Sequence, residues 1–460
     1  MPFESEEQIQ LLKEALAYAE DYLRTVDARP VFPGQEALGA LDGFDEPLPQ
    51  LSSAPSDTLA LLHRLGSPGT VAQIGGRYFG FVDGGALPVG VAARVLADVW
   101  DQNTAHWVMS PVGARLEAVC ERWLVDLLGF PEGTAAGFVT GTTLANLSGL
   151  AAGRNELLRR RGWDVVEDGL YGAPPIPVIV GADAHAAVRK SLALLGMGDA
   201  HTHVVPVDDQ GRMAMDGFPR LAEPALVVAQ AGNVNSGAFD PVGEICHRAH
   251  GDGGWVHVDG AFGLWAAAVP SLAHLVPGIA RADSWAVDAH KTLNVPYDCG
   301  IVLCREREAL EAAFRASASY FQWSEERDPM RYTPSMSKRA RAVELWAILR
   351  TLGREGVAGL VEQLCEAAAS FASRLAREGF RIHNDVVFNQ VLVSCDDDRE
   401  TAATLARVQS SGVCWCGGST WRGEAVIRVS VCSWATTRED IERSVEAFRD
   451  ARDSVRAQAS

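Results

Sequence analysis

Six short apolar runs, spaced through the middle of the chain and separated by stretches of helical pattern, constrain the fold more than any other feature. They are Pro177-Val178-Ile179-Val180, Val204-Val205-Pro206-Val207, Ala225-Leu226-Val227-Val228, Trp255-Val256-His257-Val258, Trp285-Ala286-Val287 and Gly300-Ile301-Val302-Leu303. Short, β-branched and apolar on both faces, they read as strands covered by helices on either side. The alternation predicts an α/β chain built on a mostly parallel sheet, and its 44 glycines suit the many tight strand-to-helix turns such a sheet needs.

The flanks read differently. Ile9, Leu12, Leu16, Ala19 and Leu23 form one stripe of an amphipathic helix, which needs a partner for its apolar side. From Ala28 to Ser56 the prolines Pro30, Pro33, Pro47, Pro49 and Pro55 predict an irregular arm. Towards the C-terminus, helices over 339–352 and 357–378 precede strands over 386–394 and 425–431, and Thr436-Thr437-Arg438-Glu439 has the form of a capping box opening a last helix. The division expected is therefore 1–60 for the N-terminal helix and arm, 61–315 for a large domain, and 316–460 for a smaller α+β domain.

Of the 460 residues 47% are hydrophobic, material for a large core. Against 59 acidic residues stand 41 Lys and Arg, and a net charge of −18 makes nucleic acid and anionic membranes poor partners. No apolar stretch approaches the roughly 18 residues of a membrane span, and the acidic opening Met1 to Glu7 is unlike a signal peptide. A cytoplasmic protein is expected. Its nine scattered cysteines then stay reduced. Cys246 with His247 and His250, and Cys414 with Cys416, have no second ligand pair nearby, so they read as packing and no metal site is expected.

Chemistry gathers at the ends of the expected strands, where open α/β sheets place their ligand crevice. Ser284-Trp285-Ala286-Val287-Asp288-Ala289-His290-Lys291 ends one strand with a His and a Lys side by side. A partly desolvated lysine there serves as a Schiff-base amine, unless it is a surface residue. His257-Val258-Asp259-Gly260-Ala261 ends another strand with a carboxylate that either pairs with a protonated ring nitrogen or caps the next helix. Thr140-Gly141-Thr142-Thr143 turns into a helix whose N-terminal N–H groups, with the hydroxyls, suit a phosphate. Asp183-Ala184-His185 lies just past a strand, where an imidazole stacks on an aromatic ring or is merely structural.

The order phosphate turn, stacking His, carboxylate, His-Lys resembles the pyridoxal-phosphate-dependent group II amino acid decarboxylases. The match is strongest over Asp288-Ala289-His290-Lys291-Thr292-Leu293-Asn294-Val295-Pro296-Tyr297-Asp298-Cys299-Gly300. It is supported by His257 to Ala261 and by the turn Asn233-Val234-Asn235-Ser236-Gly237-Ala238-Phe239-Asp240-Pro241, and covers roughly Tyr78 to the C-terminus. The resemblance implies an aspartate-aminotransferase-like, fold type I enzyme holding pyridoxal 5′-phosphate, and a homodimer with its active site at the subunit boundary. It makes Lys291 the amine bound to the cofactor, Asp259 the ring-nitrogen partner and His185 the stacking residue. Thr142, Thr143 and His290 become phosphate ligands, Ala261 packs against the ring, and Asn233 and Asn235 are polar contacts to the phenolic oxygen.

The resemblance has departures. Asp288 stands where relatives such as the aromatic decarboxylases have Asn, and an anion beside the phosphate is repelled unless His290 or another cation compensates. The mobile-loop tyrosine that returns a proton in those relatives falls around 322–333. Tyr332 is a candidate, although an ungapped comparison anchored on Arg339 and Arg341 puts Pro329 there. Arg339 or Arg341 holds the substrate carboxylate or forms a solvated helix face; Tyr78, Phe79 and Phe81 line the substrate side or pack in the core. The reaction expected is decarboxylation of an amino acid to its amine. The rivals are a carbon–carbon lyase or an aldehyde-forming decarboxylase on the same fold, and an inactive scaffold.

Overall fold

The strands appear in chain order as β1 (Tyr78–Phe79), β2 (Ala135–Val139), β3 (Val178–Gly181), β4 (Thr202–Val205), β5 (Leu226–Gln230), β6 (Trp255–Asp259), β7 (Ser284–Asp288), β8 (Gly300–Cys304), β9 (Arg381–Ile382), β10 (Gln390–Ser394), β11 (Trp415–Trp421) and β12 (Glu424–Ser430). They belong to a computed structural model that describes residues 5–220 and 223–459. Met1 to Glu4, the start of the acidic opening stretch, lie outside the described residues.

Seven strands form the large sheet in the order β2-β8-β7-β6-β5-β3-β4. From β7 through β6, β5 and β3 to β4 the pairing is parallel, while β8 runs antiparallel between β7 and β2. All residues of β2, β3, β5, β6, β7 and β8 are buried, which explains the unbroken apolar runs. Val227, Val258 and Trp285 join one core cluster; Leu226, Val228 and Trp255 point the other way into a second. The run over 204–207 is only half strand: β4 is the sheet edge, Val204 is 49% exposed, and Pro206 has no N–H to continue the ladder.

The second sheet has the order β1-β11-β12-β10-β9. Its edge strand β1 comes from far upstream and pairs in parallel with β11, so residues before 316 also contribute to the small unit. The two helices read over 339–352 and 357–378 are one segment, Ala342–Arg377, interrupted at Gly353, whose φ of 59° breaks the helical path. The last helix, Arg438–Ala459, is capped by Thr437 and Asp440, one residue later than read. Thr437 Oγ1 accepts the Asp440 N–H at 3.1 Å, and Asp440 Oδ2 accepts the Thr437 N–H at 3.0 Å. The opening helix Ser5–Thr25 has no buried residue, and Ile9, Leu12, Leu16 and Leu23 are exposed. The arm carries a short α-helix, Gln35–Ala40, continued by a 3-10 turn, Leu41–Phe44.

Candidate active site

Strands β2 and β7 both run antiparallel to β8 and so point the same way, as do β6, β5 and β3. Their C-terminal ends meet in a cavity of about 320 Å³. Lys291 and His290 enter it from the turn after β7, Asp259 and Ala261 from the end of β6, Thr142 and Thr143 from the helix start after β2, and His185 from beyond β3. Residues distant in sequence are brought together because parallel strands place successive turns on one edge.

Asp259 is 4% exposed. It accepts from Asn146 Nδ2 at 3.1 Å and from the Ala261 N–H at 3.2 Å. Both donors are neutral. Burial pushes its carboxyl upward, against the nearby charges of His185 and Lys291 and these two hydrogen bonds. A buried carboxylate without a contacting cation suits a positively charged ligand.

Behind Asp259 runs a relay that follows from which atoms can only donate. Asn146 Nδ2 can only donate and does so to Asp259, so Asn146 Oδ1 faces His257 and fixes its proton on Nε2; the neutral ring's Nδ1 therefore accepts from the Ser284 hydroxyl at 2.8 Å, and Ser284 Oγ accepts in turn from Trp255 Nε1 at 3.0 Å. His257 Nε2–H then donates to Asn146 Oδ1 at 2.9 Å, and the Asn146 amide is turned towards Asp259. Burial drives the His257 pKa down from 6.5 to about 3, so it stays neutral. An unfolded chain accepts a proton there that the folded chain refuses. Stability contributed by the neutral ring is complete above pH 6.5 and drains away as pH falls towards about 3. The melting temperature of His257→Gln is therefore expected to fall less steeply than that of the parent between about pH 7 and pH 4.5; parallel curves would refute the relay.

At the other end, Gly141 gives the helix Thr142–Arg159 no side-chain cap. The cap comes from Asp288: its Oδ1 accepts the Thr142 N–H at 2.7 Å and its Oδ2 the Thr142 hydroxyl. Lys291 Nζ stands 3.2 Å and His290 Nε2 3.6 Å from the same Oδ2. Burial lowers the His290 pKa more than Asp288 raises it. Burial likewise lowers that of His185, whose Nδ1 accepts the Ala187 N–H at 3.2 Å, which makes Nε2 its proton-bearing nitrogen.

The segment before Gly84 lies over the cavity. Phe81 and Val82, both lining it, have φ of 52° and 66°, a left-handed backbone costly for such side chains. A Cβ on Gly84 would fall 2.1 Å from the Lys291 carbonyl oxygen, so the segment is laid directly on the lysine's backbone.

Several expected residues lie elsewhere. Tyr332 is 6% exposed, its hydroxyl accepts from Arg307 Nη1 at 3.0 Å, and the Arg327 guanidinium covers its ring at 4.1 Å. It is packed beneath β2 and is not a proton donor at the cavity. Arg339 and Arg341 do not face a substrate either: both bind Asp298 Oδ1 at 3.0 Å, and Arg339 Nη1 also binds Glu344 at 2.5 Å. Tyr78 stacks on Trp415 at 5.3 Å, and Phe79, fully buried, packs edge-on to Phe371; Phe81 alone of that aromatic run reaches the cavity. Asn233 Oδ1 accepts the N–H groups of Asn235 and Ser236 in its own turn, and Asn235 Oδ1 accepts from the Ser419 hydroxyl. Gly232 and Val234 line the cavity in their place.

Residues that the sequence reading missed include Asn146, Ser284 and Arg428, along with the orienting role of His257. Arg428, in β12, acts electrostatically on His185; its Nη1 donates to the Val234 carbonyl at 3.2 Å, while its buried Nε has no partner among the described residues. A lone arginine inside Ala425-Val426-Ile427-Arg428-Val429 was the available signal.

Residues 74–395 match the family model described as "Pyridoxal-dependent decarboxylase conserved domain". Tryptophan decarboxylase 1 of Oryza sativa subsp. japonica is 26% identical, over 94% of this chain and 91% of that protein. An L-2,4-diaminobutyrate decarboxylase of Acinetobacter baumannii is 28% identical, over 65% of this chain and 63% of that protein. A crystal structure of Oryza sativa TDC with PLP and tryptamine superposes with a TM-score of 0.90 at 21% identity, covering 99% of both chains.

Proposed function

We infer the function from one premise: the chain belongs to the pyridoxal-dependent decarboxylase family. It has the type I fold of those enzymes and uses pyridoxal phosphate; it is a carboxy-lyase that removes carbon dioxide from an amino acid and leaves the amine. The family match favours this reaction over the carbon–carbon lyase and aldehyde-forming rivals.

The observation that carries the assignment of residues is that Lys291 and Asp259 face one cavity from the ends of the adjacent parallel strands β7 and β6. The residues present fit the cofactor at its ring end, because Asp259 is a buried carboxylate whose hydrogen-bond donors are neutral and which a cationic heterocycle would match. When bound, pyridoxal phosphate supplies an aldehyde for the substrate amine and a charged ring that takes up the electron pair left by carbon dioxide.

The chain's own groups then divide the work. Lys291 Nζ would hold the cofactor as its Schiff-base amine and would be placed to return a proton to the substrate carbon. Asp259 keeps the ring nitrogen's proton in place, and Asn146 with His257 fixes the carboxylate that does so. His185 and Ala261 would contact the cofactor ring, and Thr142, Thr143 and His290 would hold its phosphate. Arg428 adds positive charge beside His185 and, through Nη1, anchors the Val234 carbonyl of the turn that borders the cavity. Phe81, Val82, Val234 and Phe262 give the cavity an apolar wall, which supports an aromatic or other apolar substrate side chain over a charged one. Incubating the purified holoenzyme with aromatic, acidic and basic amino acids is expected to yield carbon dioxide and amine in equal amounts, highest with an aromatic acid. Aldehyde with ammonia, or a preference for acidic substrates, would overturn this.

A homodimer is supported by the exposed apolar stripe of the Ser5–Thr25 helix and by Leu48 and Leu51, which are 88% and 84% exposed. Sedimentation is expected to give twice 49.3 kDa, and removal of residues 5–56 to give a monomer; a full-length monomer would count against the reading. A cytoplasmic location is supported by nine cysteines without a disulfide. Finding the protein in a secreted fraction would contradict it.

A further inference from the structure

We propose that Asp288 is a built-in competitor for the cofactor's phosphate, holding the Thr142 donors that the phosphate would use. The inference rests on the reading of the Lys291 cavity as the pyridoxal phosphate site.

A helix start collects anions because its first N–H groups have no partner within the helix. Here that position is already served by a carboxylate from another element. Asp288, the last residue of β7, takes the Thr142 N–H and the Thr142 hydroxyl, and its Oδ2 also lies within ion-pair distance of Lys291 and His290. It is 2% exposed, so little water screens its charge. Gly300 of β8 is packed so closely on the turn that a Cβ there would lie 2.4 Å from the Gly141 Cα, so the turn cannot retreat towards β8. Rotation of the Asp288 side chain, or close sharing between two anions, would admit a phosphate to the Thr142 donors.

An asparagine at 288 changes the balance without changing the shape. Its amide oxygen accepts the Thr142 N–H as the carboxylate does, and its NH₂ group donates to a phosphate instead of repelling it. The phosphate-specific part of cofactor affinity should rise. Loss of the Lys291–Asp288 ion pair acts on cofactor with and without a phosphate alike, so it cancels in the ratio of their affinities.

The test compares pyridoxal phosphate with pyridoxal, which lacks the phosphate, on the full-length protein, following the absorbance of the bound chromophore. The ratio of the two dissociation constants is the readout, since general loosening of the cavity weakens both ligands alike. Asp288→Asn is expected to widen that ratio in favour of pyridoxal phosphate by about tenfold, the equivalent of one pKa unit of charge interaction. An unchanged or narrower ratio overturns the proposal. Should the Asn variant not fold, Asp288→Ser is read the same way. Failure of the underlying site has a different mark: borohydride reduction of the parent protein would then fix neither compound on Lys291.

Discussion

Replacing Lys291 by alanine is expected to abolish the borohydride-stable attachment of the cofactor and to lower turnover by about 10⁴-fold while leaving the fold intact. Its side chain lines the cavity, and among the described residues its amine makes one ion pair, with Asp288 at 3.2 Å. Lys291→Arg tests whether charge alone suffices: the guanidinium can still pair with Asp288, but it is too weak a nucleophile to take an aldehyde. Both variants should be equally inactive. Mass spectrometry can decide the point cleanly because the chain has only four lysines, Lys13, Lys190, Lys291 and Lys338. Lys13 and Lys190 are on exposed helix faces, and Lys338 is buried against Glu117 at 3.0 Å. A cofactor fixed on any of these three, or a Lys291→Ala protein that keeps a few per cent of its activity, would sink the mechanism.

What could be read in advance had a physical reason to be local. Strands β3, β5, β6, β7 and β8 are buried on both faces, so hydrophobicity along a few consecutive residues identified them. Asp259 ends its strand and Lys291, Thr142 and His185 lie just past theirs, and the sheet's parallel pairing gathers such ends. What escaped depends on partners far along the chain. Arg339 and Arg341 look like free cations until Asp298, some 40 residues upstream, is seen to occupy both. Tyr332 has the right chemistry for a proton donor, but Arg307 and Arg327 hold it under β2. The two asparagines after β5 spend their side-chain oxygens on turn geometry and on Ser419. Strand β1, two residues long, carries no period to detect, and it joins a sheet whose other strands all lie after residue 380. The His257 relay was in plain view as a histidine between two valines, yet its meaning required Asn146 and Ser284 on either side.

Asp259→Asn should separate activity from stability in opposite directions. The carboxylate raises the proton affinity of whatever nitrogen faces it, and three pKa units of such support correspond to about 4 kcal/mol, a turnover loss on the order of 10³ when an uncharged amide takes its place. That loss should come with a changed absorption spectrum of the bound cofactor, since the ring nitrogen loses its proton. Stability should move the other way. Burial raises the Asp259 carboxyl above its ordinary value, so whatever stability it contributes is complete only below the unfolded value and is lost as pH rises through the folded one. Ionising this buried carboxyl as pH rises costs the cofactor-free protein free energy, a cost that Asn removes while keeping an acceptor for the Asn146 amide and giving up the one for the Ala261 N–H. The cofactor-free Asp259→Asn protein is expected to melt higher than the cofactor-free parent at about pH 7.5, with the difference shrinking towards about pH 4, where the parent carboxyl is itself protonated. Equal melting temperatures at neutral pH would mean that His185 and Lys291 already neutralise the site. Retention of near-parent turnover would remove Asp259 from the chemistry altogether.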